Sequence, residues 1–241
     1  MEKRRIVGKG VFTAKQVGER PAILMERRKN MVKEQIFLET NRGNVDDKTD
    51  GMRKKYNIIY ADPPWKYDRQ KGEGVAAAKY QTMSIADIQG IPVNEIAADD
   101  AVLFLWVMFP KLKEGLSVIE SWGFQYKTCA FNWIKQNPKA DTFFVGLVFW
   151  TRSCSEVCLL ATKGHPHRVS PNVRQLCIAH RGKHSKKPDE IRDRIVELCG
   201  NLPRIELFAR KKSEGWECLG NEIDGKDIRE ALKELLEEDS R

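Results

Sequence analysis

A chain of 241 residues, 41% hydrophobic and 32% charged, has room for one α/β domain of ordinary size with an additional arm. Its longest apolar run, AVLFLWVMF at 101–109, is far too short to cross a bilayer, and MEKRRIVGKGVF at the start carries basic residues without the apolar segment of a secretory signal. The net charge of +8 is concentrated: residues 1–55 hold 15 Lys/Arg against 8 Asp/Glu, and residues 163–194 hold 9 against 3 with all four histidines, which points to a polyanionic partner, nucleic acid first.

Taken in chain order, PAILMERRKNMVKEQIFLE at 21–39 places Leu24, Met31 and Leu38 at seven-residue spacing and predicts an amphipathic helix opened by Pro21. TNRGNVDDKTDG at 40–51 reads as a linker. Residues 1–50 are therefore expected to form a basic appendage and 51–241 the main domain. Strand-like runs follow at 57–61, 101–107, 124–134, 156–162, 176–179 and 204–209, with helical stretches at 84–89, 110–121, 188–199 and 226–238. This alternation predicts an α/β fold, a mixed and mainly parallel sheet with helices on both faces. The six cysteines fit no small disulfide scaffold, so a reducing, cytoplasmic setting is expected. Cys154-x3-Cys158 with His165-x-His167 has poor spacing for zinc, and no metal is expected. The histidines, interleaved with Arg168, Arg174, Arg181, Lys183 and Lys186, read as a surface facing nucleic acid.

The stretch NIIYADPPWKYD at 57–68 carries the chemistry. Ile58-Ile59-Tyr60 reads as a short buried strand, stopped because Pro63 and Pro64 donate no backbone hydrogen bond. An ordinary strand stop would look similar. Yet the turn also presents the Asp62 carboxylate, the carbonyls of Pro63 and Pro64 as acceptors, and the flat ring of Trp65. That set suits a planar base with an exocyclic amine, the ring stacked and both N–H bonds held. Held in this way, the nitrogen aims its lone pair at an electrophile, so positioning and electrostatics suffice. In a duplex such a base must first be flipped out.

ADPPW after an apolar strand resembles the signature of the adenine N6-methyltransferases related to the catalytic subunit of the eukaryotic messenger-RNA adenosine methyltransferase. Bacterial and phage DNA-adenine enzymes belong to the same family. YQTMS at 80–84, SEVCLLATKG at 155–164, SKKPDEI at 185–191, and RIELFAR with LGNEIDG within 204–225 match in order. The resemblance covers about residues 56 to 225. It implies a Rossmann-like fold, S-adenosylmethionine as donor, and a permuted motif order in which the catalytic turn precedes the cofactor-binding strand.

Residue by residue, the resemblance assigns Asp62, Pro63, Pro64 and Trp65 to catalysis, and Tyr67, Tyr80, Arg152 and Glu156 to the substrate. Arg152 is also the expected partner of Glu156 or of a phosphate. KYDRQKGEGVAAAK, at 66–79, reads as a lid. Lys187, just ahead of a helix opened by Pro188, is expected to hold the carboxylate of the methionine moiety. Phe208 and Arg210 at the tip of the cofactor strand, with Asn221 and Glu222 at the ribose, complete the cofactor set. Glu222 stands where the messenger-RNA enzyme has Gln, and GNVDD at 43–47 is a weak match to the adenine-contacting stretch. The single domain and the WTR-x3-E arrangement at 150–156 resemble the bacterial and phage branch, so DNA is the expected substrate and RNA the rival. Relatives work as dimers, which leaves a homodimer or a methyltransferase-like partner chain open. A non-catalytic nucleic-acid-binding subunit is the competing class, and cofactor binding discriminates it.

Overall fold

Tyr56–Ala61 forms strand β1, and every second residue faces a different core: Ile59 and Ala61 on one side, Ile58 and Tyr60 on the other. A strand buried on both faces must be flanked on both edges. β1 pairs in parallel with β2 (Ala97–Val107) and with β7 (Arg204–Leu207). In this computed structural model residues 54–66, 82–146, 150–182 and 186–238 are described, all within the unit Gly51–Arg241. The helix expected at 21–39, GNVDD, Tyr67, Tyr80 and most of the expected lid lie outside the described residues.

The remaining strands are β3 (Gln125–Asn137), β4 (Ala140–Phe143), β5 (Ser155–Lys163), β6 (Leu176–His180) and β8 (Glu217–Leu219). Their order across the sheet is β4-β3-β5-β2-β1-β7-β8, with β6 alongside β3. β5 runs antiparallel to both β2 and β3, so it starts at the edge where its parallel neighbours end. From β1 the chain proceeds to β2 on one side, while β7 leads to β8 on the other. The direction of winding therefore changes between β1 and β7, and a crevice opens outside their carboxyl ends.

Helices cover both faces, as expected. On one, α1 (Ile85–Gln89), α3 (Leu112–Ser121) and α6 (Ile228–Glu238) bury Ile88, Val118, Ile119, Ile228 and Leu232 against Ile59, Leu103 and Leu105. Ser84 and Asp87 cap α1 reciprocally, which fixes where that helix begins. On the other face α4 (Glu190–Cys199) buries Ile191, Ile195 and Cys199 against Ile58, Tyr60 and Phe104. Each such aliphatic side chain contributes about 1.5–3 kcal/mol by leaving water. Two short helices, α2 (Val93–Ile96) and α5 (Asn221–Asp224), complete the fold.

Three boundaries differ from the sequence expectation. β3 continues to Asn137, three residues further, which brings Lys135 into the sheet. β7 stops at Leu207 because Phe208, at φ 62, turns the backbone into the left-handed region. Pro188 is not the first residue of α4, which begins at Glu190 after Asp189; instead its carbonyl accepts from Ile191 at 3.2 Å, and that of Asp189 from Arg192 at 3.2 Å, a tighter turn leading into the helix.

Candidate active site

At the end of β1 the chain bends sharply. The Trp65 N–H donates to the Pro63 carbonyl at 2.9 Å, a three-residue turn that the fixed φ of Pro64 favours. The Pro64 carbonyl accepts from Met83 at 3.0 Å. Both proline carbonyls, expected as acceptors, thus already hold one donor each, and each keeps its second lone pair. A larger correction concerns Trp65. Its ring is 6% exposed, lies within the core cluster, and donates its indole N–H to the Trp106 carbonyl at 2.9 Å. With a satisfied N–H and an apolar surround, this ring packs as core and does not stand over a pocket.

Asp62 stands at the switch-point crevice and does not stand alone. Lys187 donates to its Oδ2 at 2.6 Å and lies 3.3 Å from Glu156 Oε2, while the other Glu156 oxygen accepts from Lys135. Topology explains the meeting. Glu156 opens the antiparallel strand β5, Lys135 lies near the end of β3, and Lys187 precedes α4, so all come to the carboxyl edge. The Lys187 ammonium also rests 5.3 Å from the Trp106 ring centroid. Expected to hold an external anion, Lys187 instead faces two carboxylates, and one of its three N–H groups is left over.

Four alternating charges in near-dry surroundings set one another's protonation. Burial pushes the Asp62 carboxyl up, Lys187 pulls it back, and the balance stays above the ordinary value. Burial also acts on Glu156, but Lys187 and Lys135 together outweigh it and hold that carboxyl below the usual range. Burial disfavours the Lys187 charge, yet its two carboxylates outweigh burial and keep it protonated. Arg152, expected as the partner of Glu156, is exposed and pairs with none of the described residues; the two lysines occupy that place.

Across the crevice, β7 supplies the opposite wall. Phe208 packs partly against the core in its left-handed turn, and Arg210 lies 3.7 Å from Glu222. Asn221 and Glu222 are exposed at the start of α5. Gly220 is required by contact: a Cβ there would stand 2.3 Å from the Ala209 carbonyl oxygen and 2.7 Å from its nitrogen. Below this wall Arg192 of α4 makes a two-pronged bond to Glu206 of β7, both at 2.6 Å, tying the helix that follows Lys187 to the strand that leads into Phe208.

The basic zone at 163–194 proves to be two zones. Gly164 follows the end of β5, so His165, His167 and Arg168 lie at the amino edge, away from Asp62; His165 donates its backbone N–H to Asp100 at 2.7 Å. His180, Arg181, Lys186 and Lys187 follow β6 and return to the carboxyl edge. His184 lies outside the described residues. Sequence reading missed Lys135, whose only signal was its place two residues beyond Trp133 in a strand read as ending at 134.

Over 193 residues the chain is 39% identical to the type II methyltransferase M.MunI of Mycoplasma sp, covering 71% of this chain and 79% of that one. It is 28% identical over 175 residues to the N(6)-adenosine-methyltransferase catalytic subunit METTL3 of Homo sapiens, and 29% identical to an MT-A70-like N(6)-adenosine-methyltransferase of Drosophila melanogaster. It spans only 29% and 27% of those two longer proteins. The MT-A70 family model matches residues 56–222, from the first residue of β1 to the Glu222 carboxylate, and the chain therefore belongs to the MT-A70 methyltransferase family.

Proposed function

We propose that the chain transfers the methyl group of S-adenosylmethionine to the N6 amine of adenine in DNA. The observation that carries this is Asp62, fixed by Lys187 at the carboxyl end of β1, where the sheet reverses its winding. Strand order and the β1/β7 crevice support a Rossmann-like fold in which the catalytic turn precedes the cofactor strand in the chain. The donor set fits the cofactor: the third Lys187 N–H suits a carboxylate, Asn221 and Glu222 suit a sugar diol, and Phe208 and Arg210 flank the crevice. Gly220 lies directly against the Ala209 backbone, which leaves no room there for a side chain on Gly220.

When bound, S-adenosylmethionine supplies an electrophilic methyl group. Asp62 accepts an N–H from the adenine amine, with the second lone pairs of the Pro63 and Pro64 carbonyls as further acceptors. This would turn the nitrogen lone pair toward the donor's methyl group, with Asp62 placed to take the proton that the amine gives up on transfer. Lys187 holds Asp62 in place, and Glu156 with Lys135 holds Lys187. Glu156, buried and doubly paired, acts on substrate through Lys187, while Arg152 is free to meet a phosphate. Tyr67 and Tyr80 complete the substrate side.

N6-methylation of adenosine in RNA is the second reading, favoured by the METTL3 likeness. DNA is preferred because the type II methyltransferase is matched over most of its own length. No helix among the described residues is long and apolar enough to cross a membrane. The six unpaired cysteines support work in the cytoplasm; a homodimer or a methyltransferase-like partner chain is the proposed assembly. The test is methyl transfer from labelled S-adenosylmethionine to duplex DNA, single-stranded DNA and RNA, with hydrolysis to nucleosides. N6-methyladenine from DNA that vanishes in Asp62→Ala is the expected result; product from RNA alone would reassign the substrate, and no product with no cofactor binding would overturn the reading.

A further inference from the structure

Trp65 was the aromatic plate expected for a base, and its ring is buried. Another tryptophan is available. Trp150 is 99% exposed, whereas Trp65, Trp106, Trp122 and Trp133 are each 6% exposed or less. A bare indole in water is the kind of exposure that demands an explanation.

The base of its loop is anchored beside the charge chain. The Gly146 N–H donates to the Ser153 carbonyl at 2.8 Å, and a Cβ on Gly146 would come within 2.8 Å of that oxygen. Next to this bridge, the Lys135 carbonyl accepts from Phe144 at 2.8 Å and the Lys135 N–H donates to Cys154 at 2.7 Å. Lys135 in turn bonds Glu156. Six residues separate Trp150 from Glu156, a span of about 20 Å at most. Cations stand along the same stretch: Lys139 and Arg152 are exposed and Arg181 stacks 3.6 Å from the centroid of Phe144, while Lys186 is paired with Asp189 at 2.5 Å. Asp141 lies 3.6 Å from His180. Trp150 shares this stretch with Phe143, 50% exposed, and Val145, 61% exposed, and the cations beside them, Arg152 and Arg181, suit a nucleobase on a phosphate chain.

We infer that Trp150 stacks on a nucleobase of the substrate strand beside the target adenine, holding the strand while that adenine enters the crevice. This rests on reading the chain as a nucleic-acid methyltransferase. It assigns the stacking role to Trp150 in place of Trp65, and it places the anchor on a loop whose foot reaches Glu156 through Lys135.

The test follows tryptophan emission that iodide can quench, in wild type and Trp150→Phe, as mixed-sequence single-stranded DNA is added. Labelled-oligonucleotide anisotropy gives the affinity of the same proteins and of Trp150→Ala. Stacking predicts that the part of the quenchable emission that Trp150→Phe removes, over and above that of the partly buried Trp216, is lost as DNA saturates the wild type. It also predicts that Trp150→Ala binds about 5- to 150-fold more weakly while Trp150→Phe stays near wild type. Wild-type affinity in Trp150→Ala, or undiminished quenchable emission at saturation, overturns the inference. So does shielding of Trp150 that grows with protein concentration before DNA is added, since a second copy would then cover it. Methyl transfer is read separately: its absence on every substrate condemns the catalytic reading, while the emission and affinity still decide the role of Trp150.

Discussion

The two edges of the sheet are built from the same residue types to different ends. At the amino edge, polar groups close turns: Asn57 donates to the Asp100 carbonyl at 2.9 Å, His165 caps onto Asp100, and Lys55 reaches the Glu95 carbonyl. These are single bonds at the surface. At the carboxyl edge, Lys135, Glu156, Lys187 and Asp62 alternate in sign within a nearly dry enclosure. Burying such groups is costly unless every partner is present, so a protein that keeps them there uses them. Charge alone therefore does not mark the working edge; buried and mutually dependent charge does.

The most severe way to break the contrast is Asp62→Ala, expected to lower kcat by about 10²–10³-fold or more in a labelled-methyl assay. His165→Ala at the other edge should leave that assay unchanged. Next is Lys187→Met, which leaves Asp62 without its cation and Glu156 with Lys135 alone, and should cost about 3 kcal/mol in urea unfolding. Adding Glu156→Gln should recover part of that loss.

pH sharpens the same point. Glu156 is held below its ordinary value of 4.5, so its stabilisation is present above that value and fades as pH falls through the depressed one. Glu156→Gln should flatten the acid limb of a melting-temperature profile. Asp62 shifts the other way, so the acid limb of kcat/KM should lie above its ordinary 3.8.

A matched glycine pair separates fold from function. Gly164 at φ +62 would place a Cβ 2.3 Å from the Asp99 carbonyl oxygen, and Gly220 would place one 2.3 Å from that of Ala209. Alanine at either should cost about 1–3 kcal/mol. Only Gly220→Ala should also weaken S-adenosylmethionine binding in calorimetry. The smallest effect is Arg152→Ala, expected to reduce the slope of log affinity against log salt for DNA by about 0.9.

Much of the fold was legible in the sequence, because β1, β2, β5 and the long helices carry continuous apolar runs or helical periodicity. β4 (ADTF) and β8 (ECL) were not, being too short and polar to show a pattern. In the site, DPPW announced itself by composition. The direction of the Trp65 ring did not, since it depends on Trp106 offering its carbonyl from 41 residues away. Lys135 was hidden for a related reason: its link to Glu156 arises from the pairing of β3 with β5, and register across strands is not a local property.

The position of β1 in the sheet also sets when a working molecule can exist. Ala61 pairs with Leu105 on one side and with Leu207 on the other. At about 5–20 residues per second, a ribosome supplies that second neighbour roughly 7–30 s after the first strand has been made. Until then the motif-bearing strand has an unsatisfied edge, and the Asp62 carboxylate has no ammonium beside it. Synthesis thus delivers the most reactive residue early and withholds its setting until nearly the end, so a nascent or prematurely ended chain is a hazard for aggregation and not a stray modifier of the genome.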